Sequence, residues 1–157
     1  MSVAVIAALE ELGGSYELVP CDPDLADTAA FCEAYGYALA DSANTIVVVG
    51  KSDPRVYAAC VVLADSRLDV NGAVRRRLGA RKASFASAEE TVEMTGMAIG
   101  GVTPVGLPSG LPLWVDARVA SRERIVLGGG SRDQKIICDP GLLERLPNSE
   151  IVAALTK

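Results

Sequence analysis

The stretch "AIGGVTPVGLPSGLPLWVD" at 98–116 sets four glycines and three prolines within an apolar run. Gly100 and Gly101 can take positive φ and let another molecule approach the main chain, whereas Pro104, Pro108 and Pro112 fix φ and withhold donors. The N–H groups that remain are few and fixed in place. Such a loop is either an ornate connection between two strands or a place where a ligand meets the backbone. The chain contains no histidine. That removes Ser-His and Cys-His nucleophiles, histidine bases and most zinc chemistry. Cys21, Cys32, Cys60 and Cys138 are scattered without a C-x-x-C pair, which points to reduced thiols rather than a disulfide framework or a zinc site. Catalysis must then use lysine, carboxylates, backbone dipoles, water or the substrate itself.

Two nucleotide motifs fail on inspection. "VVVGKS" would need glycine where Thr45 stands, and Asp53-Pro54 follows where a phosphate-binding loop needs a helix. Lys51 reads instead as a solvated turn residue. Neither "GGVTPVG" nor "GGGSRD" has the G-x-G-x-x-G spacing of a dinucleotide site.

The framework around these residues alternates between helix and strand. Ser2 can cap a first helix whose inner face is Val5, Leu9 and Leu12, with Gly13-Gly14 ending it before a strand near "YELV". Asp27 is a natural N-cap for a second helix that Gly36 stops. "NTIVVV" (44–49) and "VYAACVVL" (56–63), joined by "GKSDPR", predict a hairpin, and their unbroken hydrophobicity predicts a sheet covered on both faces. A third helix is expected after Asp69, with Val70, Val74 and Leu78 on one side and Gly79 at its end. Ser87 and Glu90 have capping-box spacing for a fourth. Strands follow at "PLWVD", "RIVLG" and "QKIIC". A last helix at "DPGLLERL" has Asp139 as its N-cap and Pro140 in its first turn. The fold class is α/β, with a mixed, largely buried sheet surrounded by short helices.

Half of the 157 residues are hydrophobic, enough for one core, and a single domain over 1–157 is expected. No uncharged apolar run reaches the length of a membrane span and no secretory leader is evident, so a cytoplasmic protein without membrane contact is expected. With a net charge of −5, nucleic acid would not be held by charge alone. Arg75, Arg76 and Arg77, with Arg81 and Lys82, are either a phosphate-binding face or the wet side of the third helix. Trp114, inside an apolar strand, reads as core.

In combination, "DTAAFCEAYG", "ANTIVVV", "RLGARKASFASAEE", "AIGGVTPVGLP" and "IVLGGGSRDQKI" resemble the YbaK/prolyl-tRNA-synthetase-associated family along nearly the whole chain. The resemblance implies a trans-acting deacylase that hydrolyses the ester of a small, mischarged amino acid on tRNA, without metal or organic cofactor. Its partners would be aminoacyl-tRNA and, as a further candidate, an aminoacyl-tRNA synthetase, with no role for DNA. It also implies that Gly100 and Gly101 present N–H groups to the ester carbonyl while Pro104 stiffens the loop. Amide donors aimed at that oxygen would stabilise the charge built there by attack. Thr28 and Thr103 match positions near the pocket, although both types also serve local hydrogen bonding.

Asn44 stands where many relatives carry a functional lysine; it can orient an ester but cannot act as a base. Lys135 reads as exposed, and is the nearest candidate for a compensating cation. Arg75, Arg76 and Arg77 become candidate tRNA-phosphate contacts. The loss of the usual lysine leaves a second reading, a domain that binds charged tRNA ends or a synthetase without turnover. A small-metabolite-binding domain is a third, because fold does not fix function.

Overall fold

The computed structural model describes residues 3–157, so the expected cap Ser2 lies outside the described residues. Helix α1 (Val3–Leu12) buries Val5 and Leu9, and Gly13 follows it at φ +66. Strand β1 (Tyr16–Pro20) leads through a single 3-10 turn to α2 (Thr28–Tyr35), which Gly36 ends in the left-handed region. Asp27 holds the N-cap position of α2, but its carboxylate does not cap the helix. It pairs instead with Arg132, 3.1 Å away. The predicted hairpin forms between β2 (Ala43–Gly50) and β3 (Val56–Leu63), with Lys51 exposed in its turn.

The third helix starts differently from the expectation. The Asp69 carboxylate accepts the Ala73 N–H at 3.0 Å, and the Asp69 carbonyl accepts from Val74, five residues on. This opens a wide π-type turn over Val70–Val74 before the short α3 (Arg75–Leu78). A brief strand, β4 (Ala83–Phe85), follows, and then α4 (Ala88–Thr95) with the capping box between Ser87 and Glu90 fully made. The remaining elements are β5 (Leu113–Asp116), α5 (Ala117–Ala120), β6 (Ile125–Gly128), β7 (Gln134–Cys138), α6 (Gly141–Glu144) and β8 (Ser149–Val152). The last helix begins one residue later than expected, with Pro140 rather than Asp139 at the N-cap; the Asp139 carboxylate still accepts the Gly141 N–H at 2.8 Å.

Five strands form a mixed sheet in the order β4-β2-β3-β5-β8, antiparallel as far as β3 and parallel beyond it. A second, antiparallel sheet, β1-β7-β6, meets it through a parallel bridge between Ser42 and Val126. The unbroken hydrophobicity of β3 follows from this layering. Ala59, Val61 and Leu63 join the main core, while Ala58, Cys60 and Val62 join a second core with Val70, Val74 and Trp114. No helix among the described residues is long and apolar enough to cross a membrane.

All four cysteines are free and buried. Burial pushes the thiols of Cys60 and Cys138 from 9.0 up to about 12. Unfolded chains lose these protons first, so stability is complete below pH 9 and falls as the pH rises toward 12. At about pH 10.5 the loss is about 2 kcal/mol per thiol. Denaturant titrations at neutral and alkaline pH should show this decline in the parent protein and a flatter dependence after Cys60→Ala with Cys138→Ala. Equal slopes in the two proteins would assign the decline to other groups.

Candidate functional site

A cleft of about 320 Å³ opens along the outer edge of β2. It exists because that edge is only partly covered. Strand β4 pairs with Val48–Gly50, and Val126 bridges Ser42 at the other end. The Ala86 N–H donates to the Val47 carbonyl at 2.9 Å, and alternation along the ladder then points the backbone of Thr45 to the same open edge. Thr45 lines the cleft, and its own hydroxyl is buried with no hydrogen-bond partner among the described residues. The walls come from the start of α2, the start of α4, the Ile99–Gly100 turn and β6.

Asn44 and Thr28 meet in the cleft, where the Thr28 hydroxyl donates to Asn44 Oδ1 at 2.6 Å. With the Thr28 hydroxyl on Oδ1, the Asn44 Nδ2 donors have no partner among the described residues. Lys135 also reaches the cleft, but it is buried rather than exposed, at 5% accessibility. Its ammonium donates to the Ala26 carbonyl at 2.5 Å and to the Gly100 carbonyl at 2.9 Å, and lies 5.4 Å from the centre of the Phe31 ring. Burial draws its pKa below 10.5, opposed in part by Cys21. Two carbonyls and an aromatic face hold the cation where solvent would otherwise be needed.

The two glycine residues of the loop have different duties. Ala98–Gly101 is a tight turn closed by the Gly101 N–H on the Ala98 carbonyl at 2.9 Å, with Gly100 at φ +89. Gly100 lines the cleft, and its N–H makes no hydrogen bond among the described residues. Gly101 does not offer a free donor. Its N–H is engaged within the turn, its carbonyl accepts from Gly130 at 2.6 Å, and a Cβ there would stand 2.3 Å from the Ser131 carbonyl oxygen. Gly128 faces the same constraint from the other side, with the Val102 carbonyl oxygen 2.4 Å from where its Cβ would be. The loop and the late glycine turn therefore press together backbone to backbone.

Three further sets of expected residues lie outside the walls of this cleft. Thr103 is fully buried outside the cleft walls, with its N–H directed to Met97 Sδ at 3.4 Å. Pro104 lines a separate apolar cleft of about 480 Å³ beside α1. Arg75, Arg76 and Arg77 lie on α3, and none of them lines the first cleft. Arg77 bonds the Glu150 carboxylate and lies 5.0 Å over the Trp114 ring, while Arg75 Nε donates to the Asn71 carbonyl at 2.9 Å. Trp114 itself is buried, as its apolar strand implied.

Arg132 is a positioning residue that sequence reasoning missed. It donates to the Pro23 carbonyl at 2.9 Å and the Ile99 carbonyl at 2.8 Å, and pairs with Asp27, tying the approach to α2 to the glycine turn. Its place inside "GGGSRDQ" was the available signal, but its partners are far away in sequence. Thr45 and Phe31 were missed because an apolar strand and a helix face advertise packing. Together, the cleft offers the Asn44 amide, the Gly100 N–H, the Lys135 ammonium and the open edge at Thr45. The arrangement is rich in donors and suits negative charge developing on an oxygen.

The model for the aminoacyl-tRNA editing domain matches residues 22–146. A solved structure of a candidate trans-editing enzyme for prolyl-tRNA synthetase is similar at 26% identity and a TM-score of 0.82, covering 100% of this chain and 99% of that one. The hypothetical protein APE2540 is similar at 25% identity and a TM-score of 0.86, covering 98% of this chain and 99% of that one.

Proposed function

The chain belongs to the aminoacyl-tRNA editing domain family, and from that premise we propose that it is a trans-acting deacylase. It hydrolyses the ester joining a small, mischarged amino acid to tRNA in the cytoplasm, releasing both. The observation that carries this reading is the set of unpartnered donors in a cleft with no histidine, namely the Asn44 amide and the Gly100 N–H beside the buried Lys135. A volume of about 320 Å³ is at the small end of ligand sites, which run from about 300 to 1,000 Å³, and favours a small side chain.

Water attacks the ester carbonyl carbon, and the oxygen that gains charge is met by Asn44 Nδ2 and the Gly100 N–H. Collapse expels the 3′-terminal ribose oxygen, which takes up, directly or through solvent, the proton that the attacking water gives up. An aminoacyl ester is already activated, so orientation and a polarised carbonyl are sufficient chemistry for a site without a strong base. Thr28 holds the Asn44 amide in its productive orientation. Lys135 acts through the turn, anchoring the Gly100 carbonyl and leaving its third donor for the substrate. The likeness to a candidate trans-editing enzyme for prolyl-tRNA synthetase supports a synthetase as partner.

A neutral amide in place of a lysine also favours a second reading, a domain that binds charged tRNA ends and protects them. Incubating the purified protein with a panel of aminoacyl-tRNAs, and following ester loss, separates the two. Catalytic turnover of at least one misacylated species is expected. Saturable protection without turnover would instead support the binder, and indifference to every tRNA would leave a small-metabolite site.

A further inference from the structure

Phe85 is 57% exposed at the outer edge of the five-stranded sheet, immediately before Ala86 in the cleft wall. A phenylalanine left in water on an edge strand invites a partner. Register places it. Phe85 pairs with Val48, and alternation puts Asn44, Ile46 and Val48 on the same face of β2. Ile46 lines the cleft and packs against the second core, whereas Val48 is fully buried in that core and leaves Phe85 as the exposed apolar side chain of this edge. No aromatic neighbour stacks on Phe85 among the described residues, whereas Tyr35 already stacks on Phe31 at 4.8 Å.

Charge is unevenly placed about Phe85. The Lys51 N–H bonds the Lys82 carbonyl at 2.9 Å, which brings Lys51 beside Arg81 and Lys82. All three are exposed and none forms an ion pair among the described residues. Lys82 stands three residues before Phe85, about 10 Å along an extended strand. On the other side the first turn of α4 is acidic, with Glu89 and Glu90. Basic residues thus gather before the start of β4, and acidic ones at the start of α4.

Resting on the deacylase reading, we infer that Phe85 is the stacking platform for the 3′-terminal base of single-stranded RNA, whose preceding phosphates follow β4 to Lys82, Arg81 and Lys51. Flat, apolar and sequence-tolerant, an exposed phenyl ring is the recurring means of holding an unpaired base, and lysines and arginines beside it take the backbone. The ester then falls in the cleft at Asn44.

The test uses uncharged RNA, so it does not depend on turnover. A short single strand ending in CCA, labelled at its 5′ end, is titrated against the whole protein by fluorescence anisotropy. Phe85→Ala should weaken binding about tenfold, Phe85→Tyr should restore it, and removing the terminal adenosine should cost the parent the same factor but cost Phe85→Ala little more. Replacing Lys51, Arg81 and Lys82 by glutamine should flatten the salt dependence by about 0.7 for each phosphate that is no longer neutralised. Unchanged affinity in Phe85→Ala, or no binding of the strand by the parent, overturns the inference. Hydrolysis of aminoacyl-tRNA by the parent with such a result would leave the deacylase reading intact. Terminal-base stacking without hydrolysis of any aminoacyl-tRNA would remove the deacylase reading and leave the platform.

Discussion

Gly101→Ala is expected to lower stability by about 3 kcal/mol or more, because the new Cβ meets backbone and not a flexible side chain. The obstacle is the Ser131 carbonyl oxygen at 2.3 Å, with the Ser131 carbonyl carbon at 2.6 Å. Neither loop can withdraw freely. Gly130 donates to the Gly101 carbonyl at 2.6 Å, and Ala98 donates to the Gly130 carbonyl at 3.2 Å. In a domain of this size the melting temperature should drop by about 10 °C. Gly110→Ala is the control in the same proline-rich stretch, since a Cβ there meets nothing within 4 Å and should be neutral or slightly stabilising. If both variants melt with the parent, the two glycine segments are not pressed together, and Gly101 regains its place as a candidate donor.

Asn44→Asp is expected to reduce single-turnover hydrolysis by about 10²–10³-fold while leaving the melting temperature nearly unchanged. The aspartate oxygen can still accept from Thr28, as Asn44 Oδ1 does at 2.6 Å. The change lies at the other end of the side chain. A donor that met the developing oxyanion becomes an acceptor carrying like charge. Asn44→Lys, with a donor and a positive charge at the same site, should retain turnover and alter the order of preference among aminoacyl-tRNAs. An Asp variant as fast as the parent would show that Asn44 does not face the reacting carbonyl.

Much of the framework was legible because its signals are local. The β-branched runs that became β2 and β3, the Ser87–Glu90 capping box, and the glycines ending α2 and α3 all act within a few residues. Strands β4 and β8 and helix α5 were not legible. Each spans three or four residues, too few for a period to declare itself, and pairing or packing with distant chain decides their conformation.

Residue types alone set the chemistry that is possible: no histidine, four dispersed thiols, an asparagine at the head of an apolar strand, and two glycine segments able to approach other backbone closely. Packing then chose what each residue faces. A glycine type permits close approach but does not say what approaches, and at Gly101 it is Ser131 rather than a substrate. A lysine usually stays in water, yet the carbonyls of Ala26 and Gly100 replace that water for Lys135 inside the fold. Thr103 and Pro104 share a short loop with Gly100 but sit outside its cleft, because the chain turns into the core after Val102, which still lines the cleft wall. Those outcomes depend on which distant groups the two sheets bring together, and no local spacing encodes them.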